Sequence, residues 1–270
     1  MTQLNGLDLR GFIKERQATQ VRQLKQQYKI QPKLAIIATG DNPTIATYVK
    51  LKQKYGADIG VEVNFYPIPQ KELPDLINKL NNDDSVHGII VQLPLQDRSQ
   101  TNEVVALIDK NKDVDGLTPN PIYDAATPMA ICWLLAGYGI DLKGKNLCII
   151  GYGKLVGEPL DKIWQKSGFK ASIIDIDTKN RDKIISAADV IVTAVGKPGL
   201  LKSSQVKKGA VVVDAGVASE KGILKGDAED AIYLRDDVTI TPKKGGVGPL
   251  TVSALFDNVI RACNAQTKSE

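Results

Sequence analysis

One histidine, His87, and three cysteines are all that 270 residues offer as nitrogen and sulfur metal ligands. They are too few and too scattered to build a zinc site, and a Ser-His-Asp hydrolase would have to rest on His87 alone. Cys132, Cys148 and Cys263 are an odd count without CxxC spacing. They sit in the apolar strings AICWLL, NLCIIG and VIRACNA, so they read as reduced core thiols of a cytoplasmic protein. Long hydrophobic runs are missing too: nowhere do about 18 apolar residues follow one another, so no membrane span is expected. The opening MTQLNGLDLRGFIKERQ has no apolar stretch, so a signal peptide is not expected either. Nor is there an excess of one charge. Thirty-five Lys+Arg against 31 Asp+Glu leave +4, with the lysines scattered, which makes no electrostatic case for nucleic acid as a partner.

What is present is an ordinary globular composition, 43% hydrophobic and 24% charged, which excludes disorder, collagen and coiled coil. At roughly 150 residues per domain, the length predicts about two domains. Short β-branched runs alternate with helical stretches. KLAIIATG (33–40), VEVNFYPI (61–68), HGIIVQLP (87–94), LCIIGYG (147–153), KASIIDID (170–177), VIVTAVG (190–196) and AVVVDAG (210–216) read as strands. Continuous apolar runs with helices between them signal parallel strands covered on both faces, so the expected class is α/β, in two sheets. LTPNPIYDAATP (117–128) breaks the periodicity with three prolines and marks the first domain boundary. A helix is expected next, with Thr127 as N-cap and Pro128 at its first position. After a second break at TPKKGGVGP (241–249), LTVSALFDNVIRACNA reads as a helix that packs back on the first domain.

Gly151, Gly153 and Gly157 in LCIIGYGKLVGEPL stand between an apolar strand and a helical stretch. Glycine there lets the chain turn tightly and brings its amides to a pyrophosphate at a helix N-terminus. The spacing is GxGxxxG rather than GxGxxG, so a ligand-free Gly-rich turn is the alternative reading. The next strand ends in Asp175-Ile-Asp177, about 20 residues on. A carboxylate there accepts hydrogen bonds from the ribose 2′-OH of NAD and repels the 2′-phosphate of NADP; either Asp also reads as a solvated strand end.

In the first half, Tyr48 and Lys52 stand at i and i+4 and share one helix face. A lysine beside an aromatic ring in a half-desolvated cleft loses its proton more easily and becomes useful for proton transfer. Lys50 and Lys54 read as solvated, and on spacing alone Lys52 also reads as a solvated lysine whose stem covers a surface tyrosine. Gln92 lies at the carboxyl end of an apolar strand, where crevices of open α/β sheets form, and either offers a neutral amide to a lysine or a carbonyl or simply caps the strand end. KDVDGLTP carries Asp113, Asp115 and Gly116, readable as an Asx-turn, as a weak metal site or as a carboxylate aimed at the N–H donors of a heterocycle. GGVGPLT (245–251) lets backbone and ligand approach closely, or simply connects a loop to a helix.

Taken together, YVKLK, VQLPL, KDVDGLTP, IDLKGKNLCIIGYGKLVGEP, ADVIVTAVGKPG, VVVDAGV and ITPKKGGVGPLT resemble, in order, the bifunctional methylenetetrahydrofolate dehydrogenase/methenyltetrahydrofolate cyclohydrolase family. The resemblance implies two domains with a cleft between them. Residues 1–120, completed by a C-terminal helix 249–270, would be the folate-binding catalytic domain, and 121–248 a Rossmann-like dinucleotide-binding domain. It implies the catalytic set Lys52, Tyr48, Gln92 and Asp115: Lys52 as the acid/base group of the cyclohydrolase step, Tyr48 stacking on the folate, Gln92 tuning the lysine, Asp115 accepting N–H bonds from the pterin. Leu93, Gly245, Gly246, Val247, Gly248 and Pro249 would line the folate site. Gly151, Tyr152, Gly153 and Gly157 would meet the pyrophosphate, Asp175 and Asp177 the ribose, and Val217 the nicotinamide side. No metal is implied. A homodimer acting in one-carbon metabolism and purine biosynthesis is.

The chain also departs from the family pattern. The usual Arg-Ser after the first glycine is Tyr152-Gly153, which cannot neutralise a phosphate, so the residues favour NAD against the family default of NADP. The stretch after Gly116 is short, lacking a Gly-Arg-containing loop; Ile45 replaces a common serine, and Lys243-Lys244 replace Val-Pro. Two other readings stay open on the sequence: a folate- or dinucleotide-binding paralogue with impaired dehydrogenase activity, and a shikimate-type two-domain dehydrogenase, which leaves VQLPL and GGVGPLT unexplained.

Overall fold

Apolar runs without alternation become parallel strands when both their faces are covered. In the computed structural model, which describes residues 3–40, 43–220 and 223–267, the first half follows that rule. It runs α1 (Gly6–Tyr28), β1 (Lys33–Ala38), α2 (Pro43–Ile59), β2 (Glu62–Pro67), α3 (Leu73–Asn81), β3 (Gly88–Val91) and α4 (Thr101–Ala106). The strands pair parallel in the order β2-β1-β3, with Ile36 opposite Phe65 on one side and Ile90 on the other. β3 is buried throughout and β1 from Leu34 on. Leu73, Ile77 and Leu80, one face of α3, pack with Ala35, Ile37 and Ile89. Burial of each such side chain contributes about 1.5–3 kcal/mol. The segment after α4 continues the sheet: the Ile89 N–H donates to Lys112 O at 2.8 Å, and Ile89 bridges Asp113.

The second half runs α5 (Ala126–Gly137), β4 (Leu147–Ile150), α6 (Gly157–Lys166), β5 (Ala171–Ile174), α7 (Arg181–Ala187), β6 (Val190–Thr193), β7 (Val211–Asp214), β8 (Ala218–Glu220), β9 (Ile223–Lys225), β10 (Thr239–Ile240) and α8 (Val247–Thr267). Five strands form a parallel sheet in the order β10-β7-β6-β4-β5. The order reverses at β4, since the chain builds β5 on one side and β6, β7 and β10 on the other. The carboxyl ends of β4 and β6 are therefore the topological switch point, where open α/β sheets bind ligands.

The described chain divides into two compact units, residues 11–126 with 252–267, and residues 3–10 with 127–251. All seven expected runs are strands. The antiparallel β8–β9 pair and β10, two or three residues each, are too short to leave a periodic signal. The helix expected from Thr127 begins at Ala126, and the last helix begins at Val247, ahead of the expected Leu250. In the first unit, residues 252–267 are tied in by Phe256, whose ring lies 5.2 Å from that of Tyr55, and by Gln17 Nε2, which donates to Ser253 O at 2.8 Å. None of the three cysteines forms a disulfide; Cys148 and Cys263 are buried and Cys132 is half-buried. No helix among the described residues is long and apolar enough to cross a membrane.

His87 is a core residue, 4% exposed. Its Nδ1 accepts the Lys33 N–H at 3.1 Å, which leaves the neutral ring protonated on Nε2. Burial, then the charges of Lys112 and Lys33, push its pKa down to about 4. The unfolded chain, with an ordinary value near 6.5, binds this proton first. Stability therefore falls as pH drops from about 6.5 to about 4, by up to about 3 kcal/mol. NMR titration of the single imidazole will find its midpoint near 4; a midpoint near 6.5 would refute this placement.

Candidate active site

Helix α2 carries Tyr48 and Lys52 one turn apart, as the spacing demands. Lys50 and Lys54 are exposed whereas Lys52 is half-buried, so one lysine of the three is drawn out of water. The Tyr48 ring is 38% exposed, presenting an aromatic face beside it. Gln92 follows β3, anchored by its own N–H to Ile37 O at 2.8 Å. Its Oε1 accepts the Lys52 Nζ–H at 2.8 Å while its Nε2 donates to Leu93 O at 3.3 Å, so both ends of the amide are oriented. Leu93 itself is half-buried against the core of this unit.

The DVDG turn supplies the third group. Asp113 is fully buried and spends its carboxylate on the chain: Oδ1 accepts the Gly116 N–H at 2.9 Å, and Oδ2 accepts the Thr118 N–H at 2.8 Å and its hydroxyl at 2.6 Å. This is an Asx-type closure, and Asp113 has little left for a metal. Among the described residues no group of three or more His, Cys, Asp or Glu could hold one. From α8, the buried Asn258 donates to Val114 O and Asp124 O, each at 2.9 Å, and braces the turn from behind.

Asp115 is the carboxylate that the turn leaves to Lys52. Burial lowers the Lys52 pKa below the ordinary lysine value, partly opposed by the charge of Asp115. Burial raises Asp115, opposed by Lys52 and reinforced by Asp113. Lys52 and Asp115 thus titrate as a pair whose neutral forms are reached more easily than in water. Such an amine takes up a proton and returns it more readily than a lysine in water.

In the other unit the glycine turn lies at the switch point. Gly151 has φ +96°, and a Cβ on it would lie 2.7 Å from Val195 Cγ2 and 2.9 Å from Ala194 O. A Cβ on Gly157, which opens α6, would lie 1.9 Å from Gly151 O, while Gly153 faces open space. The extra residue of the GxGxxxG spacing forms a turn of its own, with the Val156 and Glu158 N–H groups donating to Gly153 O at 3.3 and 3.1 Å. A side-chain-free cradle against the start of a ten-residue helix fits a pyrophosphate.

Tyr152 bends back onto α6, its hydroxyl donating to Asp161 Oδ2 at 2.9 Å, which also accepts Gln165 Nε2 at 2.8 Å. Asp175 follows β5 and is exposed. Its Oδ1 accepts the Thr178 hydroxyl at 2.6 Å and the Asp177 N–H at 3.1 Å, and the Thr178 bond holds its pKa below the usual carboxylate range. Asp177 and Val217 are exposed. Gly245 O accepts the Gly6 N–H at 2.8 Å; Gly246 and Val247 are buried, Gly248 exposed and Pro249 half-buried. Tyr48, Lys52, Gln92, Leu93 and Asp115 thus share one unit, and the glycine turn, Asp175, Asp177, Val217 and residues 245–249 the other.

Of the departures, Ile45 is a core residue, and Lys243 pairs with Asp230 and lies 5.2 Å from the Tyr233 ring centre. Sequence reasoning passed over Asn258, Asp214 and Asp227. The asparagine interrupting an apolar helix face in LFDNVIRAC was a visible signal for the first.

Residues 4–115 match the model of the tetrahydrofolate dehydrogenase/cyclohydrolase catalytic domain, and residues 125–267 that of the same family's NAD(P)-binding domain. The chain belongs to the tetrahydrofolate dehydrogenase/cyclohydrolase family. It is 38% identical to the bifunctional protein FolD of Acetivibrio thermocellus, over 98% of each sequence. The crystal structure of the bifunctional enzyme FolD from Campylobacter jejuni superposes with a TM-score of 0.91 at 38% identity, covering 98% of this chain and 99% of that one. A Trypanosoma brucei FolD structure, complexed with NADP and an inhibitor, gives 0.91 at 28% identity and 98% coverage of each. A nicotinamide dinucleotide therefore belongs to the second unit, and its glycine turn has the shape to receive one. Substituting Gly157→Ala drives a methyl into Gly151 O and is expected to weaken dinucleotide binding at least about tenfold by calorimetry, about 1.4 kcal/mol. Unchanged affinity would contradict the cradle.

Proposed function

We propose that this chain oxidises 5,10-methylenetetrahydrofolate to 5,10-methenyltetrahydrofolate with a nicotinamide dinucleotide and hydrolyses the product to 10-formyltetrahydrofolate. The observation that carries the reading is Lys52, desolvated, bonded at 2.8 Å to a neutral amide and coupled to Asp115. Bound, the dinucleotide supplies the hydride acceptor for the first step. The chain contributes orientation, since a reacting pair held near contact distance supplies much of the rate gain. Tyr48 stacks on the pterin, Asp115 accepts its N–H groups, and Leu93 gives an apolar wall.

In the second step Lys52, as the free amine, accepts a proton from water while the oxygen bonds to the methenyl carbon. The resulting ammonium returns that proton to the ring nitrogen as its bond to the carbon breaks; the hydroxyl left by the added water gives its own proton to solvent and becomes the formyl carbonyl, which completes the ring opening. Gln92 holds Nζ through both transfers without adding charge. Replacing Lys52→Met is expected to cut hydrolysis of the methenyl substrate by about 10²–10⁴-fold. Dinucleotide affinity should remain, because Lys52 belongs to the other unit. Full cyclohydrolase activity in that variant would refute the assignment.

The dinucleotide preferred is NAD. Asp175 is exposed and ionised after β5, and Asp177 adds a second charge. Tyr152, standing where the family pattern has Arg, gives its hydroxyl to Asp161 and offers no cation for a 2′-phosphate. A preference of about a hundredfold for NAD in kcat/KM, about 2.7 kcal/mol, is expected; equal or better use of NADP would overturn this choice. By the same reading, residues 1–120 with 249–270 form the folate-binding catalytic domain and 121–248 the dinucleotide-binding domain. The enzyme works as a homodimer, and in the cytoplasm, where thiols that form no disulfide are at home.

A further inference from the structure

Two carboxylates, one buried and one half-buried and neither required by the chemistry above, hold the carboxyl edge of the five-stranded sheet. Asp214 closes β7, and Asp227 follows β9. Asp227 is fully buried and spends both oxygens on the turn after β6: Oδ2 accepts the Val195 N–H at 2.7 Å and Oδ1 the Lys197 N–H at 2.6 Å. Asp214 in turn accepts the N–H groups of Asp227 at 2.9 Å and Ala228 at 2.8 Å. It also accepts the hydroxyls of Thr193 at 3.0 Å and Tyr233 at 2.7 Å.

Each acid is seated against a glycine that the other segment supplies. A Cβ on Gly216 would lie 2.1 Å from Asp227 Cγ, and one on Gly226 2.1 Å from Asp214 Oδ2. The interlock ends at the switch point, because Val195, whose N–H Asp227 holds, carries the side chain that a Cβ on Gly151 would meet at 2.7 Å. A buried charge satisfied only by backbone amides is costly to desolvate, and a turn needing only stability would be served by apolar contacts. What the carboxylate adds is a fixed path for the backbone of the 195–197 turn, held at the amides of Val195 and Lys197.

We propose that Asp227 is a positioning residue for the dinucleotide: it fixes the 195–197 turn beside the glycine turn, and Asp214 with Tyr233 fixes Asp227. The proposal rests on the dehydrogenase reading, and the cyclohydrolase reaction, assigned to the other unit, is its internal control. In Asp227→Asn one acceptor oxygen becomes an amide that faces a backbone N–H. The KM for the dinucleotide is expected to rise about tenfold, equivalent to about 1.4 kcal/mol, with a smaller change in kcat. Hydrolysis of the methenyl substrate should stay within about twofold, since each reaction draws on its own residues. Hydrogen exchange should accelerate in residues 194–198 and not in the β4 core.

The milder Tyr233→Phe removes one bond to Asp214 and is expected to raise the same KM two- to threefold, about half a kcal/mol. It serves if the first variant fails to fold. An unchanged dinucleotide KM in both variants, or an equal fall of both activities, would overturn the proposal. The first outcome leaves Asp227 without influence on the cofactor, and the second makes it merely structural. Absence of both activities in the unaltered protein would instead refute the functional reading itself.

Discussion

A lysine amine in water holds its proton too tightly to act as a base near neutrality, and the active site is organised around loosening that hold on Lys52. Partial burial removes the water that favours the ammonium. The choice of hydrogen-bond acceptor then matters. A carboxylate 2.8 Å from Nζ would favour the charged form by several kcal/mol even at a moderate effective dielectric constant, undoing the desolvation. Gln92 occupies that distance instead and orients the amine through a dipole. Asp115 supplies a limited opposing influence, so the lysine is loosened without losing its ability to carry a proton.

Much of the first unit exists to hold those three groups. The carboxyl end of β3 delivers Gln92; the Ile89–Lys112 bond and the closure around Asp113 deliver Asp115; Asn258 braces the same turn from the last helix. In the second unit carboxylates work differently. Asp227 is consumed by backbone donors and Asp214 by backbone and hydroxyl donors, and both shape the sheet edge, whereas Asp175 stays in water and keeps its charge. The same residue type thus serves as a proton-coupled partner, a backbone clamp and an exposed charge, according to how many donors surround it.

The α/β class was legible because buried parallel strands carry unbroken apolar runs, and KLAIIA, LCII and VIVT could hardly be anything else. The i, i+4 relation of Tyr48 and Lys52 was legible from helix geometry alone. That Lys52 and not Lys50 or Lys54 leaves water was not legible from the spacing, on which a solvated lysine covering a surface tyrosine read equally well; only the family resemblance singled it out. The difference between Asp113 and Asp115 was not legible: two residues apart in one turn, one is closed off by Gly116 and Thr118 and the other faces a lysine from another helix. Asp227 was hidden for a similar reason, since its partners Val195 and Lys197 lie some 30 residues away and contribute only backbone. Short elements such as β10 owe their existence to pairing with β7, not to local pattern.

The central claim is that the Lys52 ammonium gives up its proton at lower pH than a lysine in water. Side-chain NMR of labelled lysines, with the Lys52 signal assigned from a Lys52→Arg spectrum, measures that ionisation directly. The account predicts a midpoint clearly below the ordinary lysine value, moving lower still in Asp115→Asn. A Lys52 midpoint at or above that ordinary value, or one that rises in Asp115→Asn, would contradict it.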